Sequence, residues 1–417
     1  MKLPWHFYLA LKQLFPTGRW VSFFSVLAIV GVALGVNVMI VVVAFMKGFQ
    51  AQFRDDVLDS YGEIRVMARV GQDDWREDMR RIEAIPGVKA ATPFMQGFVF
   101  LDYYGDGRVP LVSGIDVESV ENALPLTKYI RKASVARRFA GFAAPHPSLD
   151  DLDDETVFLS VTMGDRMGAH PPLVSLDRRS LSQNAGNGQL EIARVSPHVR
   201  GDVWKLTFED AGSFRVVGQF HGPEEQPFRL GEGPFEFLDG MVSFDLHAGQ
   251  VAFREGDAFV FEIIESSTVE VYAPIMLQRA KKEEVMPPRE LRVAGFFEAP
   301  WRQFGEDSMI CSLRLLQELN GEEGVVHGFN VRLQPGMAES EERVNEVAAR
   351  LEREFADTEE GWILAETGKY RPGMDMELGF GDAIAPSWKG QTVKVMQVER
   401  LEALDQVRFE GILHARY

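Results

Sequence analysis

The 27 residues Trp20–Met46 (WVSFFSVLAIVGVALGVNVMIVVVAFM) carry no charged side chain and are bounded by Arg19 and Lys47. A helix needs about 20 apolar residues to cross the hydrocarbon core, so this run is long enough to span it with some tilt. In lipid the backbone must satisfy its own hydrogen bonds, and one uninterrupted helix does so. No other stretch approaches this length without a charge. The pattern predicts a membrane protein with one crossing and a large polar remainder.

Lys2, Lys12 and Arg19 precede the run with no acidic residue, whereas Lys47 and Arg54 are followed by Asp55, Asp56 and Asp59. This bias favours a cytoplasmic N-terminus and places everything after Lys47 outside the cytoplasm. A cleaved signal peptide is the competing reading. Its apolar region is about 7–15 residues long and ends at small residues, so the length here favours an uncleaved anchor. Ahead of the run, LPWHFYLALKQLF carries Trp5, Phe7, Tyr8, Leu11, Leu14 and Phe15. It reads either as a short helix in the cytoplasmic interface or as a plain hydrophobic lead-in. Within the run, Gly31 and Gly35 have the G-x-x-x-G spacing that lets a second helix approach closely, and Asn37 adds an amide that seeks a partner at membrane depth. These three are the candidate helix-packing residues.

Lys plus Arg number 44 against 62 Asp plus Glu. Removing the four cations of the first 47 residues leaves 40 against 62 in the remainder. That surface repels nucleic acid and anionic headgroups; it suits a basic partner or serves solubility. The one cysteine, Cys311, excludes an intramolecular disulfide and reads as a small buried hydrophobe in SMICSL.

Beyond the run, GEIRVMARV alternates as a strand, DDWREDMRRIEAI repeats at helical spacing to Pro86-Gly87, and VKAATPFMQGFVFLDYY and VPLVSGID read as strands joined by the turn GDGR. GFNVRLQ, residues 339–355 and GWILAE repeat strand, helix, strand. The segments KLTFED, SFRVVGQF, AFVFEI, TVEVYAP and LRVAGFFE read as β. HPSLDDLDDET reads as a solvated acidic loop and SQNAGNGQ as a flexible polar one. The eight histidines show no metal-ligand spacing. No P-loop and no nucleophile elbow is present. The chain is therefore read as a non-enzyme with no catalytic residue, no cofactor and no metal site.

The opening MKLPWHFYLALKQLFPTGRWVSFFSVLAIVGVALGVNVMIVVVAFMKGF resembles the first segment of the LolC/LolE family of ABC-transporter permeases, related to MacB. The resemblance continues in IPGVKAATPFMQGFVFL, LVSGID and VFLSVTMGDRMGA, and resumes in RELRVAGFFE, SMICSLRLLQEL and GFNVRLQPGMAESEERVNEVAARLEREF. It implies an α+β fold with a single N-terminal transmembrane helix and a MacB-like periplasmic domain built from an α/β part and a β-rich part. The expected organisation is a cytoplasmic interfacial segment at 1–19 and the membrane helix at 20–46. The periplasmic core follows at 47–356, with an insertion around 177–289, and then a divergent segment at 357–417. The implied partners are the inner membrane, a companion permease subunit and a cytoplasmic ATPase, with a lipoprotein or periplasmic carrier received outside. The implied role is lipoprotein release or export. The family's three later membrane helices have no counterpart after Phe355, so another chain is expected to supply them; a free-standing anchored binding or scaffold protein is the alternative.

Overall fold

A computed structural model describes residues 4–14, 23–72, 75–131, 141–177, 182–224, 227–274, 276, 287–298, 307–338, 340–356 and 362–364. The expected C-terminal segment lies outside the described residues except for 362–364. The chain divides into two compact units, Met1–Asp56 and Val57–Tyr417.

In the first unit, α1 spans Trp5–Leu14 and exposes Trp5, Phe7 and Tyr8. Helix α2 spans Phe23–Tyr61, 39 residues, or about 58 Å at the ordinary rise. Its apolar stretch is Val26–Gln50, and its side chains are exposed. The helix outruns the uncharged segment because no proline interrupts it, and it stops only before Gly62.

In the second unit the strands, in chain order, are β1 (Ile64–Gln72), β2 (Val88–Phe98), β3 (Phe100–Tyr103), β4 (Asp106–Arg108), β5 (Leu111–Ile115), β6 (Ile130–Arg131), β7 (Thr156–Ser160), β8 (Leu173–Leu176), β9 (Gln189–Val195), β10 (Asp202–Phe208), β11 (Ser213–Gly218), β12 (Gly222–Pro223), β13 (Phe228–Arg229), β14 (Phe235–Phe237), β15 (Val242–His247), β16 (Ala258–Ile264), β17 (Thr268–Tyr272), β18 (Arg289–Phe297), β19 (Ser308–Ser312), β20 (Val326–Leu333) and β21 (Trp362–Leu364). The main sheet has the order β21-β1-β20-β2-β5-β19-β7-β18-β17-β3-β4. Because β3 continues β2 after one residue, the path from β2 through β5, β19, β7, β18 and β17 returns to its own starting ribbon. Helices α3 (Trp75–Glu83), α4 (Val117–Ala123), α5 (Val161–Met167), α6 (Leu313–Asn320), α7 (Pro335–Ala338) and α8 (Glu341–Ala356) accompany this sheet.

Two of these helices share one local logic. Ser160 and Ser312 each end a strand and cap a helix, accepting from Met163 N at 3.3 Å and Leu315 N at 3.0 Å. Gly168 and Gly321 end those helices at φ 73° and 72°, a left-handed conformation that a Cβ disfavours.

The β-rich part runs from β8 to β16 around its own aromatic core. Trp204, Phe208, Phe214, Phe244, Phe259 and Phe261 are essentially inaccessible. Phe208 stacks on Phe253 at 4.0 Å between centroids. Alternation of buried and exposed residues along β10, β11, β15 and β16 puts these rings on the inner faces.

Three sequence expectations change. SQNAGNGQ is held in place: Asn184 exchanges bonds with the Ala258 backbone at 2.8 and 2.9 Å, and Asp257 accepts Ala185 N and Gly186 N at 2.8 and 2.9 Å. A Cβ at Gly186 would meet Phe253 at 2.5 Å, so its glycines serve close packing rather than flexibility. The acidic loop is only partly solvated: Asp151 is buried and accepts Arg194 Nη2 at 2.6 Å. In GDGR the turn comes earlier, at Tyr104 (φ 51°) and Gly105 (φ 85°), and Asp106–Arg108 is strand β4. Positive φ at both positions is what a two-residue hairpin requires.

Candidate functional site

Gly31, Gly35 and Asn37 all lie in α2 and are exposed. A Cβ at Gly31 or Gly35 would meet nothing within 4 Å. Four residues apart, the two glycines share one face of the helix. Asn37 lies two residues past Gly35, about 200° further round at 100° per residue. Helical phase therefore brings the glycines together and turns the asparagine to another side. Nothing described within the first unit covers either side.

The last turn of α2 enters the second unit and ends in a polar cluster. Gly62 takes φ 72° and its N–H reaches the Leu58 carbonyl at 2.8 Å, closing the helix. A Cβ there would meet the Val331 carbonyl oxygen at 2.5 Å. Arg332 of β20 donates from Nη1 to the same Leu58 carbonyl at 2.9 Å and from Nη2 to Asp59 at 3.3 Å. A cation beside free carbonyls at a helix C-terminus is electrostatically favoured. Asp59 also accepts Lys128 Nζ at 2.7 Å and the Tyr129 hydroxyl at 2.9 Å. Glu63 joins the same pair of strands: its N–H reaches Val331 O at 3.1 Å, and its Oε2 accepts Leu333 N at 2.8 Å.

Burial works to raise the Asp59 carboxyl, but the bonds from Lys128 and Tyr129 and the charges of Lys128 and Arg332 outweigh it and hold it below the usual carboxylate range. Burial and the bond to Asp59 push the Tyr129 phenol up to about 12. The cluster is thus a charged clasp that fixes the end of α2 to β20 and to the segment around Lys128. Arg65 lies nearby in sequence and places its guanidinium 3.7 Å from the Phe94 ring centre and 5.2 Å from that of Tyr61. Beside it, burial first and the Arg65 charge second push the His327 imidazole down to about 4.

Sequence reading missed the clasp. Gly62, a glycine just past a helical run, was the one local signal. Asp59, Lys128 and Arg332 meet only through tertiary structure. Among the described residues no group of histidine, cysteine or acidic side chains has the arrangement to hold a metal ion. Cys311 is fully buried, and burial pushes its thiol up.

Residues 25–138, from within α2 to beyond β6, match the MacB-like periplasmic core domain family. The lipoprotein-releasing system transmembrane protein LolC of Neisseria meningitidis is 34% identical over 98 residues, 23% of this chain and 23% of that protein. The LolC of Xylella fastidiosa strain 9a5c is 29% identical over 118 residues, 28% of each chain. The matched region thus spans only about a quarter of the curated relatives. Among solved structures, the extracellular domain of the noncanonical ABC-type transporter YknZ aligns over 73% of this chain and 99% of that one, at 8% identity and a TM-score of 0.31. Over its N-terminal region, where an apolar helix leads into the sheet, the chain is similar to LolC proteins and to the MacB-like periplasmic core domain.

Proposed function

We propose that this chain is a membrane-anchored subunit of a LolC- or MacB-like ABC transporter complex that takes part in lipoprotein release or export. The observation that carries this reading is the position of the family match: it begins inside α2 and continues into the sheet through the Asp59 clasp. The apolar stretch Val26–Gln50 would be the first membrane helix, with the N-terminus cytoplasmic and the second unit outside the inner membrane. The uncovered Gly31–Gly35 face would pack on a companion permease helix, and Asn37 would face a second neighbour. A cytoplasmic ATPase would act on the assembled permease, and a lipoprotein or its carrier would be received outside. No step of this role requires catalysis by the chain itself.

Site-specific photo-crosslinking in native membranes tests the reading. Val38 shares the glycine face by helical phase, and Val36 lies about 100° from both Gly35 and Asn37. A crosslinker at position 38 is expected to capture a polytopic membrane protein, and one at position 36 is not. Equal capture from both positions, or capture of lipid alone, contradicts it.

A further inference from the structure

The outer face of the β3–β17–β18 ribbon carries a row of like charges in register. Asp102 of β3 lies directly opposite Glu270 of β17, and Glu270 lies directly opposite Glu290 of β18. The other face of these strands is core: Leu101, Val269, Val271 and Leu291 are fully buried. Directly opposed side chains sit about 5 Å apart at Cβ, and like charges so placed destabilise a sheet.

Compensation is lacking among the described residues. Glu270 accepts the Tyr272 hydroxyl at 2.9 Å, and Asp102 accepts Gly105 N at 3.1 Å. The described arginines nearby are engaged elsewhere. Arg108 is held by Asp106 at 3.0 Å, Arg289 reaches Asp154 O at 3.4 Å, and Arg292 reaches Pro197 O at 3.4 Å. The Tyr272 hydroxyl registers the resulting field: the bond to Glu270, then burial, then the Glu270 and Asp102 charges raise its pKa.

The row is bordered by exposed apolar side chains. Phe100 packs edge-on against Tyr272 at 5.8 Å between centroids. Phe100 is 45% exposed, Val109 60% and Tyr104 94%. Tyr104 is set outward by the hairpin turn at φ 51°.

We propose that this face docks a polypeptide segment that carries lysine or arginine beside apolar residues. Cations would neutralise the carboxylate row, and the aromatic border would take the aliphatic stems and apolar neighbours. Charge complementarity selects this occupant. Nucleic acid and anionic lipid are repelled, and the three carboxylates do not converge as metal ligands do. The proposal stands on this face alone and is independent of the transporter reading.

The test uses the full-length chain in nanodiscs of zwitterionic lipid, with empty nanodiscs subtracted. The probe is a fluorescent peptide of repeating Arg-Gly-Leu; Glu-Gly-Leu and Arg-Gly-Ser peptides are controls. Binding by anisotropy is expected for the first peptide and to be much weaker for the other two. The combined variant D102N/E270Q/E290Q is expected to weaken it roughly tenfold or more, and Tyr104→Ser severalfold. The variant E342Q/E346Q/E352Q on α8, with the same change in net charge, is expected to bind as the parent does. Glu270→Gln alone is expected to raise the melting temperature. Equal weakening by the α8 variant would reduce the effect to net charge and overturn the proposal. A fall in melting temperature for Glu270→Gln would overturn it as well, because the carboxylate would then be paired within the chain.

Discussion

Gly62 lies so close to Val331 that a Cβ at position 62 would come within 2.5 Å of the Val331 carbonyl oxygen. The residue also needs φ 72°. Both the left-handed conformation and the contact forbid a side chain. Gly62→Ala is expected to cost about 2 kcal/mol or more, summing backbone strain and the displaced β1–β20 contact. Chemical denaturation of the solubilised protein measures this, and a cost below about 0.5 kcal/mol would mean that the junction relaxes freely.

Asp59 is the acceptor shared by Lys128, Tyr129 and Arg332. Removing it leaves the Arg332 cation, itself only a quarter exposed, without one of its carboxylates. Asp59→Ala is expected to cost about 2–3 kcal/mol, discounted from a fully buried pair because the Lys128 head is solvated. The sign with pH follows from the lowered carboxyl. Its contribution is present above the unfolded value of about 3.9 and is lost as pH falls through the folded value. Stability curves of wild type and Asp59→Asn should therefore converge in acid. Parallel curves down to the acid limit would contradict the assignment.

His327 gives a different acid response. Its folded value of about 4 lies below the unfolded value of about 6.5, so the unfolded state takes up the proton first. Stability should fall as pH drops from about 6.5 to 4, by at most roughly 3 kcal/mol. His327→Gln should flatten the profile in that window. Urea midpoints measured across it decide the matter, and an unchanged slope in the variant would assign the loss to other groups.

The acidic loop should divide by burial. Asp151 is buried and takes two bonds from Arg194, at 2.6 and 3.1 Å, across the seam to the β-rich part. Asp153 meets His198 at 2.6 Å, but both side chains are substantially exposed. Asp151→Ala is expected to cost about 2–4 kcal/mol and Asp153→Ala less than about 1. Comparable costs for the two would show that the seam does not depend on the buried pair.

What the sequence disclosed follows from the range of each interaction. The long apolar helix was legible because its signal is a continuous run of apolar side chains. Helix α3 and strands β1 and β5 were legible because one more-buried face imposes a period, and β20 because it is a short run buried on both faces. The serine before and the glycine after α5 and α6 are equally local signals. The closure of the main sheet was not legible, since β17 meets β3 across 168 positions of chain (Asp102 to Glu270). The Asp59 clasp was hidden for the same reason: it draws residues from around positions 59, 128 and 332.

Purification of the tagged full-length chain from its native membranes in mild detergent tests the proposed assembly most directly. The expected result is a stable complex that contains an ATP-hydrolysing subunit and a second permease chain, lost when Gly31 and Gly35 are both replaced by leucine. Recovery of the chain as a homogeneous monomer, with no ATPase activity and no change on those substitutions, would contradict it.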